Sequence, residues 1–286
     1  MLNRRRFLSS TLGAAAGLMA PAVFAAPEKR KPNIVLIVID DMGYTDVGCY
    51  GSQFFETPNV DRLAAEGMKF TDGYAACPVC SPTRASIMTG KYPARLQLTN
   101  FLIGRRTRLD SPILPAEYIH QLPLEEVTLA EALKTAGYAT CHVGKWHLGG
   151  EEYKPEAQGF DVNIAGAHHG APRSFFWPNW GKNPPLQGKQ EGEYLTDRLT
   201  DEAVQFIEQH QEQPFFLYFA HYAVHIPLEA KEEMIEKYKN REKTRAGTEQ
   251  PDLRGDGGEC RSERGAGDGY PETAGAGGEY AGDFHL

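Results

Sequence analysis

Six consecutive apolar residues, Ile34-Val35-Leu36-Ile37-Val38-Ile39, run straight into Asp40-Asp41. A short apolar run bounded by polar residues reads as a buried central strand, covered on both faces. A second such run, Pro214-Phe215-Phe216-Leu217-Tyr218-Phe219-Ala220, stands far downstream and ends just before His221. Two buried strands with helical patterns between them place the chain in the α/β class. In open α/β sheets the ligand site lies beyond the C-terminal ends of the strands. That position is held here by Asp40, Asp41, His221 and, four residues further, His225 in His225-Ile226-Pro227.

The intervening segments fill in the layers. Thr57 to Gly67 has the form of a capped helix with Val60, Leu63 and Ala64 inward, stopped by glycine. Residues 68–76 are expected to be a strand that delivers the chain to Cys80. Val127-Thr128 through Gly137 is a second capped helix, followed by a strand from Tyr138 to Val143. Residues 155–190 carry many Gly, Pro, His and aromatic residues and read as a long irregular insertion of the kind that sets specificity. Within it, His168 and His169 are expected to point apart and to serve at the surface or against substrate. Glu193 to Gln209 predicts a long helix with Leu195, Leu199, Ala203, Phe206 and Ile207 inward, and Glu229 to Tyr238 a charged surface helix.

Three short segments carry chemistry. In Cys80-Ser81-Pro82-Thr83-Arg84, Ser81 suits an N-cap and Pro82 the first helical position, so Cys80 precedes a helix N-terminus. The dipole and free amides there favour an anion, and Arg84 adds a fixed forked cation. A nucleophile and a buried structural thiol both satisfy the pentapeptide. In Gly144-Lys145-Trp146-His147, Lys145 and His147 alternate about Trp146 and can share one pocket wall, although a solvated lysine head is the plain alternative. The adjacent carboxylates Asp40 and Asp41 repel one another unless a cation lies between them, and a hard ion such as Ca²⁺ satisfies both. Arg105, Arg106 and Arg108, in an Arg/Pro/Leu-rich excursion, are further candidate anion contacts, with solvated side chains the commoner outcome.

Net charge is -8, which argues against a nucleic-acid backbone as the main partner. Five cysteines are too few and too scattered for a disulfide framework, and Cys77-Pro78-Val79-Cys80 lacks the second pair a zinc site needs. Residues 1–25 form an export signal: Arg4-Arg5-Arg6-Phe7-Leu8 is similar to a twin-arginine motif, followed by a short Gly/Ala-rich apolar stretch. Export by the twin-arginine or general machinery to the periplasm or beyond the cell is expected. No stable membrane anchor is expected, because the stretch is short and no lipid-acceptor cysteine follows it.

Together, Cys80-Ser81-Pro82-Thr83-Arg84, the run Gly137-Tyr138-Ala139-Thr140-Cys141-His142-Val143-Gly144-Lys145-Trp146-His147, the Asp40-Asp41 pair and His225-Ile226-Pro227 resemble the type I sulfatases of the alkaline-phosphatase-like superfamily. The resemblance covers residues 32–247. It implies an alkaline-phosphatase-like mixed α/β sheet with helices on both faces. It implies a sulfuric ester hydrolase in which a maturation enzyme converts Cys80 to Cα-formylglycine, the nucleophile toward sulfur. Asp40, Asp41 and the modified Cys80 would hold Ca²⁺. Arg84 and Lys145 would stabilise developing negative charge, His147 would move protons, and His225 or Lys145 would contact sulfate and protonate the leaving alcohol. The implied substrate is a sulfate ester, with a sulfated carbohydrate expected from export and the aromatic insertion. The alternatives are a phosphate or phosphonate ester hydrolase of the same superfamily and a non-catalytic anion- or carbohydrate-binding remnant.

Residues 248–286 depart from that pattern. They contain no Val, Ile, Met, Lys, Asn or Trp, and ten of the 36 residues from 251 onward are Gly, which precludes regular packing. A shifted reading of the possible codons from Thr248 permits an amphipathic helix followed by an apolar strand. A frameshift near Gly247 is therefore expected, with 248–286 an out-of-frame disordered tail and the catalytic domain truncated. The family's further calcium ligands would then be missing, and the expected consequences are an undercoordinated cation, exposed apolar sheet faces and little or no activity.

Overall fold

The computed structural model describes residues 30–102 and 116–239, and every element below lies in the unit that begins at Asn33. The expected leader, Arg105, Arg106, Arg108 and the segment 248–286 lie outside the described residues. Strands β1 (Ile34–Val38), β2 (Ala139–Gly144), β3 (Val162–Ile164) and β4 (Phe215–Ala220) form one sheet in the order β1-β4-β2-β3. All three pairings are parallel, with Ile34 opposite Phe216 and Ala139 opposite Phe215. The expected α/β sheet is thus present, and β3 is an addition that the insertion's composition concealed.

The two apolar strands behave differently. β4 is buried throughout, as a central strand must be, and its alternating side chains build two cores. Phe215, Leu217 and Phe219 join Cys141 and Val143 under helix α5 (Leu195–Gln209), which presents Leu195, Leu199, Ala203 and Phe206. Phe216, Tyr218 and Ala220 face the opposite layer of α2 (Cys80–Thr89), α3 (Pro93–Leu96) and α4 (Leu129–Thr135), with Trp146 and Phe160 between. Helices therefore cover both faces. β1, expected to be central, pairs only with β4 among the described strands. Ile34, Leu36 and Val38 pack on the second core, whereas Val35 and Ile37 on the other face are 36% and 42% exposed. The apolar run codes for two covered faces, and the described residues cover one.

Helix α1 (Pro58–Glu66) forms where expected, but Thr57 at its N-cap makes no capping bond and donates instead to Asp61 Oδ1 (3.0 Å). Leu63, expected inward, is exposed, as are Met68, Phe70 and Tyr74. Residues 68–76 are not a strand. The Thr128 cap is formed as the sequence predicts, with Glu131 N donating to Thr128 Oγ1 (3.1 Å) and Thr128 N to Glu131 Oε2 (2.8 Å). The charged helix near the end is α6 (Glu232–Lys239). Among the described residues no helix is long and apolar enough to cross a membrane.

Candidate active site

Backbone bonds gather the strand ends into one place. His221 N donates to Val38 O (2.8 Å), Lys145 N to Ala220 O (2.7 Å), and Asp40 N to Ala223 O (2.9 Å). The parallel register therefore sets Asp40, Lys145 and His221 at the C-terminal rim of adjacent strands. Gly144 permits the turn: its φ is +104°, and a Cβ there would collide with the Ala220 carbonyl oxygen. Asp41 and His147 also adopt positive φ, 62° and 58°, a conformation uncommon outside glycine. Such backbone is costly and is kept where the surrounding structure fixes it.

Asp40 is the hub. Its Oδ2 pairs with Lys145 Nζ, and its Oδ1 lies 3.3 Å from Arg84 Nη2, with all three side chains buried. Arg84 Nη1 donates to the Lys145 carbonyl (2.7 Å), tying helix α2 to the end of β2. Burial alone would raise the Asp40 pKa, but Arg84 and Lys145 outweigh it and hold the carboxyl below its usual range. Burial and then the like charge of Arg84 lower the Lys145 pKa, opposed by Asp40. With Lys145 protonated, two cations face one buried carboxylate, leaving an excess positive charge beside the N-terminus of α2. The solvated-head alternative for Lys145 is overturned: its side chain is fully buried.

Cys80 and His147 meet. Cys80 Sγ lies 3.3 Å from His147 Nδ1. Helix α2 begins at Cys80 itself, with Val79 as its N-cap, so Ser81 is not the cap expected from the sequence. Its hydroxyl instead accepts from Leu102 N (3.0 Å), a distant partner that no local pattern announces. The helix N-terminus still falls at Cys80, as the anion argument requires. Burial, reinforced by Lys145 and Arg84, lowers the His147 pKa to about 3, so its imidazole is neutral at pH 7. His147 N donates to Ala167 O (3.0 Å), and a Cβ on Gly170 would sit 2.5 Å from the His147 ring. Gly170 was invisible as a site residue; the pattern His168-His169-Gly170 draws attention to the imidazoles. Those rings do not point apart but lie 3.9 Å centroid to centroid. His142 was also passed over: it is fully buried, its Nε2 is 3.4 Å from the Lys145 carbonyl and its Nδ1 3.2 Å from Asn163 Oδ1.

His225 is half-buried and its Nε2 lies 3.7 Å from Asp41 Oδ2. It joins the cluster through Asp41 and contributes to lowering the Asp40 pKa. His221 is buried, its Nδ1 has no hydrogen-bond partner among the described residues, and burial lowers its pKa to about 4. A calcium ion would need six to eight oxygen ligands. The chain offers Asp40, both of whose oxygens already face cations, and the more exposed Asp41. Among the described residues no group of three or more His, Cys, Asp or Glu could hold a metal. These residues by themselves do not fit calcium.

Comparisons with known proteins identify the family. The family model described as Sulfatase matches residues 32–267. The N-acetylgalactosamine-6-sulfatase of Rattus norvegicus is 38% identical over 240 residues, spanning 76% of this chain and 44% of that protein. Arylsulfatase A of Homo sapiens is 35% identical over 248 residues, spanning 76% of this chain and 46% of the relative. The chain therefore spans less than half the length of these relatives. Among solved structures, Ps i-CgsB in complex with k-i-k-neocarrahexaose superposes with a TM-score of 0.59 at 33% identity, covering 76% of this chain and 51% of the other. BT4656 in complex with its substrate D-Glucosamine-2-N, 6-O-disulfate gives 0.55 at 29% identity, covering 74% and 38%. By the family model and these relatives, the chain belongs to the sulfatase family.

Proposed function

We propose that this chain carries the nucleophile half of a sulfuric ester hydrolase acting on carbohydrate sulfates. The observation that carries the reading is the convergence of Cys80, His147, Lys145, Arg84 and Asp40 at the strand ends and the start of α2. In this reading Cys80 is converted by a maturation enzyme to Cα-formylglycine, whose hydrated aldehyde supplies an oxygen nucleophile for sulfur. His147, neutral and in contact with position 80, accepts and returns the proton there. Arg84 and Lys145 bind the tetrahedral anion and stabilise charge that grows during attack. Asp40 holds both cations in place. His225, at the pocket's outer edge beside Asp41, is the candidate donor to the leaving alcohol. Calcium, implied by the family, would draw on Asp40, Asp41 and position 80; the described set is too small for it, and no step depends on it here.

A sulfated saccharide as substrate is supported by the sugar complexes of the similar solved proteins. Export to the periplasm or beyond, through the leader at 1–25, belongs to the same reading. The frameshift near Gly247 is retained as part of it, with 32–247 as the catalytic portion. The test is an assay of sulfate and phosphate release from matched saccharide esters, by the matured chain as written and by a chain continued in the alternative frame from Gly247. Sulfate release by the continued chain alone is expected. Equal phosphate release favours the phosphate or phosphonate alternative. No release, with anion binding retained, favours the binding remnant.

A further inference from the structure

Strand β4 reads Phe215-Phe216-Leu217-Tyr218-Phe219, and of its aromatic residues Tyr218 alone carries a hydroxyl. Tyr218 is fully buried and faces the layer of α2, in the core with Phe216, Ala220, Trp146 and Phe160. Its ring lies 6.3 Å from that of Phe160 and 5.4 Å from that of His142, its register partner on β2. Packing of this kind asks only for a phenyl ring. The hydroxyl oxygen is buried and has no hydrogen-bond partner among the described residues. A buried polar atom left unpaired is a cost to the fold, and proteins keep such costs mainly at functional sites.

Arg84 has the complementary gap. Its Nη1 donates to the Lys145 carbonyl (2.7 Å) and its Nη2 lies 3.3 Å from Asp40 Oδ1, whereas Nε is buried and unpaired among the described residues. The two gaps are neighbours. His142 Nε2 lies 3.4 Å from the same Lys145 carbonyl that Arg84 bonds, and Tyr218 lies beside His142. Burial raises the Tyr218 pKa and Arg84 opposes it. Burial works to lower the Arg84 pKa, and Tyr218 with Asp40 more than offset it. Hydroxyl and guanidinium are thus within electrostatic reach without closing a bond of full geometry. The lone pairs of Tyr218 Oη are the acceptor that Arg84 Nε–H lacks. A guanidinium binds a tetrahedral anion through a planar fork, so the tilt of that plane decides how well its N–H groups meet the oxygens.

We propose that Tyr218 is a positioning residue: its hydroxyl is placed to accept from Arg84 Nε–H and so sets the plane in which the guanidinium meets a sulfate group. The inference rests on the reading of Arg84 as an anion contact and adds the residue beneath it that fixes its orientation. Tyr218 acts through Arg84 alone, since it is fully buried below the rim.

The test uses the full chain as written, with isothermal titration of inorganic sulfate beside thermal melts. Wild type is compared with Tyr218→Phe, Phe216→Leu and Arg84→Lys. Tyr218→Phe is expected to weaken sulfate binding about tenfold, equivalent to about 1.4 kcal/mol. Its melting temperature is expected to be no lower than that of wild type, because an unbonded hydroxyl gives the core nothing that a phenyl ring does not. Phe216→Leu, on the same face of β4, is expected to lower the melting temperature and leave the affinity unchanged. Unchanged affinity in Tyr218→Phe overturns the proposal, whatever its melting temperature. So does a loss of affinity in Phe216→Leu as large as that in Tyr218→Phe, which would be a general effect of core disturbance. If Tyr218→Phe loses both affinity and melting temperature while Phe216→Leu keeps its affinity, the proposal stands. Arg84→Lys keeps the buried charge but loses the fork, and weaker sulfate binding is expected. If Arg84→Lys loses affinity and Tyr218→Phe does not, the reading of Arg84 stands and the proposal alone falls. If Arg84→Lys binds as wild type does, or wild type binds no sulfate, the reading of Arg84 falls and the proposal with it.

Discussion

At the residue scale, Asp40 decides the stability of the rim. Replacing it by Asn leaves Arg84 and Lys145 buried without their counter-charge, and an uncompensated buried charge costs about 3–5 kcal/mol. Urea unfolding of Asp40→Asn measures this; a change under about 1 kcal/mol would contradict the buried pairing. The same residues set a pH signature. His142 and His147 have pKa values lowered to about 3 and His221 to about 4, each chiefly by burial. Below the unfolded value near 6.5 the unfolded chain takes up three protons that the folded chain refuses, so stability falls as pH falls. At its steepest the slope approaches about 4 kcal/mol per pH unit for three protons. Asp40, with its depressed pKa, adds stability that is present above the unfolded value of 3.8 and lost below it. Denaturant midpoints that drop sharply from pH 6 to pH 4 are expected; a flat profile through that window contradicts neutral buried histidines. Much of this cluster was legible in the sequence, because Cys80, Arg84, Lys145 and His147 lie in short segments with their own chemistry. What escaped was long-range: the Ser81 hydroxyl serves Leu102, and Gly170 makes room for His147.

At the element scale, the two apolar strands show what a pattern can and cannot specify. Six apolar residues in a row announce cover on both faces, and β4 has it. β1 has the same kind of sequence yet leaves Val35 and Ile37 exposed, because a run of side chains carries no information about where its cover is encoded. The same reason explains Leu63, Met68 and Phe70, apolar positions with nothing packed on them that fully buries them. Ile37→Lys is therefore expected to cost under about 1 kcal/mol, as for a surface position, and to reduce self-association in sedimentation velocity. Leu217→Ala, in the core on the same face, is expected to cost about 2–5 kcal/mol. Equal costs for the two would mean that the β1 face is covered. Cap chemistry was readable only in part: the cap expected at the start of the 129–135 helix formed, with Thr128 and Glu131 three residues apart serving each other, whereas Thr57 and Ser81 do not cap their helices.

At the scale of the whole molecule, the chain has a sulfatase sheet and a gathered strand-end cluster, and it spans less than half the length of relatives such as arylsulfatase A. Two carboxylates, one committed to Arg84 and Lys145, are a poor calcium site. Calcium at a hundredfold excess over a real site's Kd would add about 2.7 kcal/mol of stability. No saturable rise in melting temperature with calcium, and no fall with a chelator, is expected for this chain; a saturable rise would show that the remaining ligands are present in it. We propose position 80 as the nucleophile of a sulfatase in place of a structural thiol. Mass spectrometry of the peptide spanning Cys80, from chain produced together with a formylglycine-generating enzyme, tests it most directly. The account predicts the aldehyde or its hydrate in place of the thiol, and an unmodified Cys80 beside a fully converted control sulfatase would contradict it.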